Sequence, residues 1–130
     1  MTGWRILEDE LVRWGNAGMS ASLWWRDDDA VANTRALQRL LDIAEVPIAL
    51  AVIPAGLQWN LISALRGRPA DGSITVLQHG FSHRNHEPAD RKKAELGTAR
   101  DSAVVLAELA TGAKLLADAF GDIALPVLTP

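Results

Sequence analysis

Pro47-Ile48-Ala49-Leu50-Ala51-Val52-Ile53 is apolar at every position. Successive residues of a strand point to opposite faces of its sheet, so a strand with one wet face alternates polar and apolar side chains. An unbroken apolar run, closed by Pro54 and Gly56, is the pattern of a strand covered on both faces, as in a parallel sheet between helices. The flanking stretches extend the pattern. Upstream, Leu37, Leu40, Leu41 and Ala44 form one helical face that Asn33 or Thr34 can cap. Before them, Ala21 to Arg26 is a short apolar and aromatic run that stops abruptly at acids, as a buried strand does when its C-terminal end reaches the surface. Downstream, Leu57, Leu61, Ile62 and Leu65 give another helical face, Gly67 to Gly72 a loop, and Ile74 to Leu77 a third short strand.

The two ends of the chain complete the alternation. Ile6, Leu7, Leu11 and Trp14 predict a short N-terminal helix covering one end of the core, stopped by Gly15, Asn16 and Gly18. From Pro88 to Asp90 onward a long helical segment is predicted, with Ala99, Ala103, Leu106, Ala110, Ala113, Ala117 and Phe120 recurring on one face. Gly97 and Gly112 weaken it, so it is one helix or two; Gly121 suits its C-terminal cap, and Ile123 to Leu128 is a fourth strand. This order is that of parallel βα units with right-handed crossovers, an α/β fold in a single domain over residues 1–130. Four strands are half of a typical ~250-residue barrel, and a parallel sheet needs covered faces and no long open edges. The pattern therefore predicts a truncated domain, or one that pairs along Ile123 to Leu128 with its own copy as a homo-oligomer or with a missing C-terminal half.

Composition narrows the classes of function. The 48% hydrophobic and 22% charged content is that of a globular chain. The net charge is -3 and the basic residues are scattered, which excludes the electrostatic footprint of a nucleic-acid or anionic-membrane binder. With no cysteine there are no disulfides, thiolate ligands or cysteine nucleophile, so a metal must be held by nitrogen and oxygen. Met1 to Met19 is no secretory signal and no apolar stretch reaches ~20 residues, so the expected location is cytoplasmic.

Two clusters carry metal chemistry. All three histidines fall within His79-Gly80-Phe81-Ser82-His83-Arg84-Asn85-His86, and Arg26-Asp27-Asp28-Asp29 supplies three consecutive carboxylates. Both lie at predicted C-terminal strand ends, where parallel α/β folds place their sites. Two neutral imidazoles and one carboxylate leave coordination positions open for water and substrate, and zinc, cobalt, nickel or iron all fit. Three adjacent acids repel one another in a partly buried site, so the triplet is easiest to understand beside a cation and Arg26. One acid can bind metal while its neighbour stays free as a base. His86 is a third ligand, a substrate contact or a loop residue, the last two being favoured. Trp24 and Trp25 face opposite sides of a strand, at least one into the core. Trp59 packs, sits in an exposed loop or stacks on a sugar ring. Lys92, Lys93, Glu95 and Arg100 form a solvated helix face, unless Glu95 reaches back to the histidine loop.

Together, Arg26-Asp27-Asp28-Asp29 and His79-Gly80-Phe81-Ser82-His83 resemble the first two motifs of the polysaccharide deacetylases with the NodB homology domain, over about Leu23 to Pro130. The resemblance implies about half of a distorted (β/α) barrel and a metal-dependent hydrolase that removes acetyl groups from N- or O-acetylated carbohydrates. It implies Asp27 as the catalytic base and Asp28, His79 and His83 as ligands of a divalent metal, zinc first. Arg26, Asp29, His86 and Trp59 are then supporting or substrate-binding residues. Asp29 stands where the family has glycine, so a register shifted by one makes Asp28 the base and Asp29 the ligand. The family's third, proline-containing motif would begin near Pro130, and the motifs that supply its acid histidine and acetyl pocket have no counterpart in these residues. Two alternatives follow: a half-barrel that binds metal or a partner chain without turnover, or a related barrel enzyme acting on a non-sugar amide.

Overall fold

The computed structural model describes residues 3–130. Helix α1 (Gly3–Asn16) precedes an alternation of β1 (Trp25–Ala30), α2 (Arg35–Ile43), β2 (Ile48–Val52), α3 (Trp59–Arg66), β3 (Ile74–His79), α4 (Ser102–Phe120) and β4 (Ala124–Thr129). The four strands form one parallel sheet in the order β1-β2-β3-β4, so each βα unit adds the next strand alongside the last. All five residues of β2 are buried, as their unbroken apolar run requires. Ile48, Leu50, Val52, Ile74 and Val76 face the helices and meet Leu37 of α2, Leu61 and Leu65 of α3, and Leu116 and Phe120 of α4. By alternation Ala49 and Ala51 occupy the other face.

Local chemistry sets the helix boundaries. Of the two candidate caps for α2 it is Thr34 that acts, its hydroxyl accepting from the Leu37 N–H at 3.1 Å. Asp101 caps α4 by accepting from Ala103, and Gly121, at φ 58°, closes it. Helix α4 runs unbroken through Gly112, where a Cβ would meet Gln78 Nε2 and Pro54 Cγ at 2.6 and 2.9 Å. The glycine lets the helix backbone lie against the end of β3. Gln78, buried, uses that approach to donate to the Leu109 and Gly80 carbonyls at 3.1 and 2.9 Å.

Four expectations need correction. The last helix begins at Ser102, not at Pro88 to Asp90. In the intervening segment side chains take the backbone N–H groups a helix would use: Asn85 Oδ1 accepts from Glu87 and Ala94, and Glu87 from Ala99. Helix α1 covers no core, since none of its residues is buried, and Trp4, Leu7, Leu11 and Trp14 are exposed. The first strand starts only at Trp25 and is a sheet edge rather than a buried strand, with Trp24 and Trp25 both exposed. At the other edge, β4 leaves Leu125, Val127 and Leu128 exposed, and Pro126, which has no N–H to donate, falls where the register with β3 slips. Among the described residues no helix is long and apolar enough to cross a membrane.

Candidate metal centre

Both clusters emerge at the C-terminal end of the sheet, with β2 between them. The loops that follow β1, β2 and β3 are tied to one another there. Ile53 donates to the Ala30 carbonyl, Gln58 to that of Val31, and Ala55 to that of Phe81 at 2.9 Å. The acids and the histidines thus project from one braced rim.

The strand β1 does not carry its acids in simple alternation. Asp27 pairs with Leu50 and Ala30 with Val52, so Asp28 and Asp29 together oppose the single residue Ala51. That extra residue is a bulge, and bulges re-aim side chains. Asp27 and Ala30 keep the helix-facing side of their partners Leu50 and Val52, while Asp29 is turned to the face where β2 presents only alanines. The turn needs φ 64° at Asp29, in the left-handed region that favours glycine and tolerates aspartate. His83 is likewise left-handed, at φ 54°.

Asp29, His79 and His83 converge. The Asp29 Oδ1 atom lies 3.3 Å from His79 Nε2 and 3.5 Å from His83 Nδ1, and the two rings stand 4.7 Å apart between centroids. These three residues each offer one ligand atom, all within 4.8 Å of one another. Donors about 2.0 Å from a zinc ion at tetrahedral angles stand about 3.4 Å apart, so the carboxylate-to-imidazole spacings match the edges of such a site.

The tautomer of His79 sharpens the fit. Its Nδ1 lies 2.8 Å from the Thr129 carbonyl oxygen, which can only accept, so Nδ1 carries the proton and donates. Nε2 is then the ring atom that faces the Asp29 carboxylate. The His79 side chain is 8% exposed and that of Asp29 61%, so the imidazole is held inside the rim while the carboxylate reaches it from the solvent side. The second imidazole, His83, lies 3.5 Å from the same carboxylate oxygen, so the three side chains form a group able to hold a metal ion.

The remaining candidates fall around this set. Asp28, the expected ligand, is turned to Arg26, which holds it with two contacts of 2.8 and 3.0 Å. Asp27, the expected base, is on the helix-facing side of β1, where burial, and after it the repulsion of Asp28 and Asp29, raises its carboxyl above the ordinary range. Of the three acids it is Asp29 that lies beside the histidines. His86 is partly buried, donates its backbone N–H to Ala94, and stands outside the donor group; its Nε2 has no partner among the described residues. Trp59 opens α3 at the same end of the sheet and is 70% exposed.

Glu95 does reach back. It accepts from the Phe81, Ser82 and His83 backbone N–H groups and from the Ser82 hydroxyl. Burial opposes its charge, but these bonds outweigh burial and hold its carboxyl below the usual range. Sequence reasoning missed Thr129, whose carbonyl orients His79. Its signal was the alignment of two parallel strands ending side by side, His79 opposite Thr129. Comparison with family models, with curated proteins and with solved structures finds no match for this chain.

Proposed function

We propose that the chain forms a divalent-metal site of a hydrolase of the polysaccharide deacetylase type, acting on N- or O-acetylated carbohydrates. Its four strands would be about half of a distorted (β/α) barrel. The observation that carries this reading is the convergence of Asp29, His79 and His83 on one another at two strand ends. Asp29 Oδ1, His79 Nε2 and His83 Nδ1 are the ligand atoms, for zinc first and for cobalt, nickel or iron by the same donor set. A bound ion supplies Lewis acidity toward the acetyl carbonyl and lowers the pKa of a water.

The chain's own residues supply orientation and proton transfer. Asp28 is next to the ligand Asp29 in the bulge and is held by Arg26, so its carboxylate is the base that takes the proton of the attacking water. Thr129 fixes the His79 ring in the tautomer that leaves Nε2 free. Trp59, exposed at the same rim, offers a ring face to a sugar.

A second reading has its own support. The side chains of Asp29 and His83 are 61% and 50% exposed, so the ligand set is open to water on one side. A site this open fits a half-barrel that binds metal and needs further walls before it turns over substrate. The deciding experiment is metal content by elemental analysis coupled to size-exclusion chromatography, followed by acetate release from acetylated chito-oligosaccharides and ring opening of small cyclic amides. One ion per chain with acetate release supports the deacetylase, and one ion without turnover the incomplete half-barrel. Activity on cyclic amides alone points to a non-sugar amidohydrolase, and a chain that takes up no metal removes all three.

A further inference from the structure

We propose that Glu95 is a positioning residue for the metal centre: its carboxylate grips the backbone of the loop that carries His83 and holds that imidazole toward Asp29 and His79. This rests on the reading of Asp29, His79 and His83 as metal ligands. Three successive N–H groups, of Phe81, Ser82 and His83, point at one carboxylate, at 3.2, 2.6 and 3.1 Å for their closest oxygens, and the Ser82 hydroxyl adds a fourth donor at 3.0 Å. Runs of N–H groups that converge in this way form an anion-binding concavity. Here the anion is supplied by the chain itself.

The local backbone is arranged around that carboxylate. Gly80 takes φ 58°, and a Cβ on it would collide with Glu95 Oε2 where the carboxylate now sits, so glycine lets the loop close over the acid in this position. His83, a residue with a Cβ, is at φ 54°, a conformation that the Glu95 bond to its own N–H helps to maintain. Glu95 is in turn fixed from behind: its neighbour Ala94 accepts from the His86 N–H at 3.0 Å and donates to Asn85 Oδ1 at 2.9 Å. An ionised carboxylate has about four lone-pair sites, and four donors fill them, so Glu95 acts through the loop rather than as a ligand.

The test is cobalt(II) affinity by chelator competition, with the visible spectrum of the bound ion, in the wild type and in Glu95→Ala, Glu95→Gln and Glu87→Ala. Glu87 bonds to Ala99 in the same segment but not to residues 81–83, so it reports general loosening of the loop. Glu95→Ala is expected to weaken cobalt about 10- to 100-fold and to alter the spectrum. Glu95→Gln, which keeps one acceptor oxygen, is expected to recover part of the affinity, and Glu87→Ala to stay within about threefold of wild type. Unchanged affinity in Glu95→Ala, or an equal loss in Glu87→Ala, overturns the positioning role. A wild type that binds no cobalt instead removes the metal reading. Nuclear Overhauser contacts between the His79 and His83 rings then decide the placement: their loss in Glu95→Ala supports it, and their persistence overturns it.

Discussion

Asp29 Oδ1 and His79 Nε2 lie 3.3 Å apart, while the other nitrogen of the same ring is already committed to the Thr129 carbonyl. With Nδ1 donating, Nε2 is the ring atom that faces the carboxylate, and either a proton on Nε2 or a metal ion between the two atoms joins them. Asp29→Ala and His79→Ala should each abolish stoichiometric zinc, read by elemental analysis after gel filtration. Because protons compete with metal for the imidazole nitrogens, affinity in the wild type should fall as the pH is lowered. Stoichiometric zinc retained in both variants would mean that the ion is held elsewhere.

The bulge that sets Asp28 and Asp29 against Ala51 gives the three acids different surroundings, and the proposed roles can be tested one by one. Asp28→Asn should leave zinc affinity within a few fold and lower acetate release about 10²- to 10⁴-fold, the usual contribution of a general base. Asp27→Asn, on the helix-facing side of β1, should change turnover only slightly. The opposite pattern in a kinetic assay would restore the register in which Asp27 is the base and Asp28 the ligand.

At Gly112 the backbone of α4 lies against Gln78 at the end of β3. A methyl group there pushes on Gln78 and Pro54, which are held by their own contacts in the rim. Gly112→Ala should gain helix propensity and still lose about 1–3 kcal/mol of stability through overpacking, measured by urea unfolding. A stabilised variant would show that the rim yields easily at this point.

Much of this arrangement was legible in the residues themselves. The unbroken run from Pro47 to Ile53 gave a buried strand because alternation is absent, and the helical faces of Leu37 to Ala44 and Leu57 to Leu65 gave the crossovers around it. That an acid of the triplet meets the histidines followed from their places at strand ends. What stayed hidden depends on contacts distant in sequence. Which acid faces the histidines is set by one bulge residue, which a repeating pattern of three aspartates conceals. The segment between Pro88 and Arg100 has helix-forming residues, yet Asn85 and Glu87 use their side chains on its Ala94 and Ala99 N–H groups and it stays non-helical. Helix α1 has an apolar face that periodicity detects, but periodicity says nothing of what covers it.

Asp71 gives a pH-dependent prediction away from the metal. It precedes β3 and accepts from the Ser73 N–H at 2.9 Å, and Ser73's side chain and backbone bonds hold its carboxyl below the ordinary range. A depressed folded pKa means that the ionised form is favoured by folding. The contribution is therefore present above the ordinary carboxylate range and disappears as the pH falls through the folded value. Asp71→Ala should lower the melting temperature at pH 7 in chelator-treated protein, and the difference from wild type should shrink toward the contribution of the neutral group at a pH well below the ordinary carboxylate range. An undiminished difference at that pH would show that Asp71 acts through the shape of the turn, not through its charge.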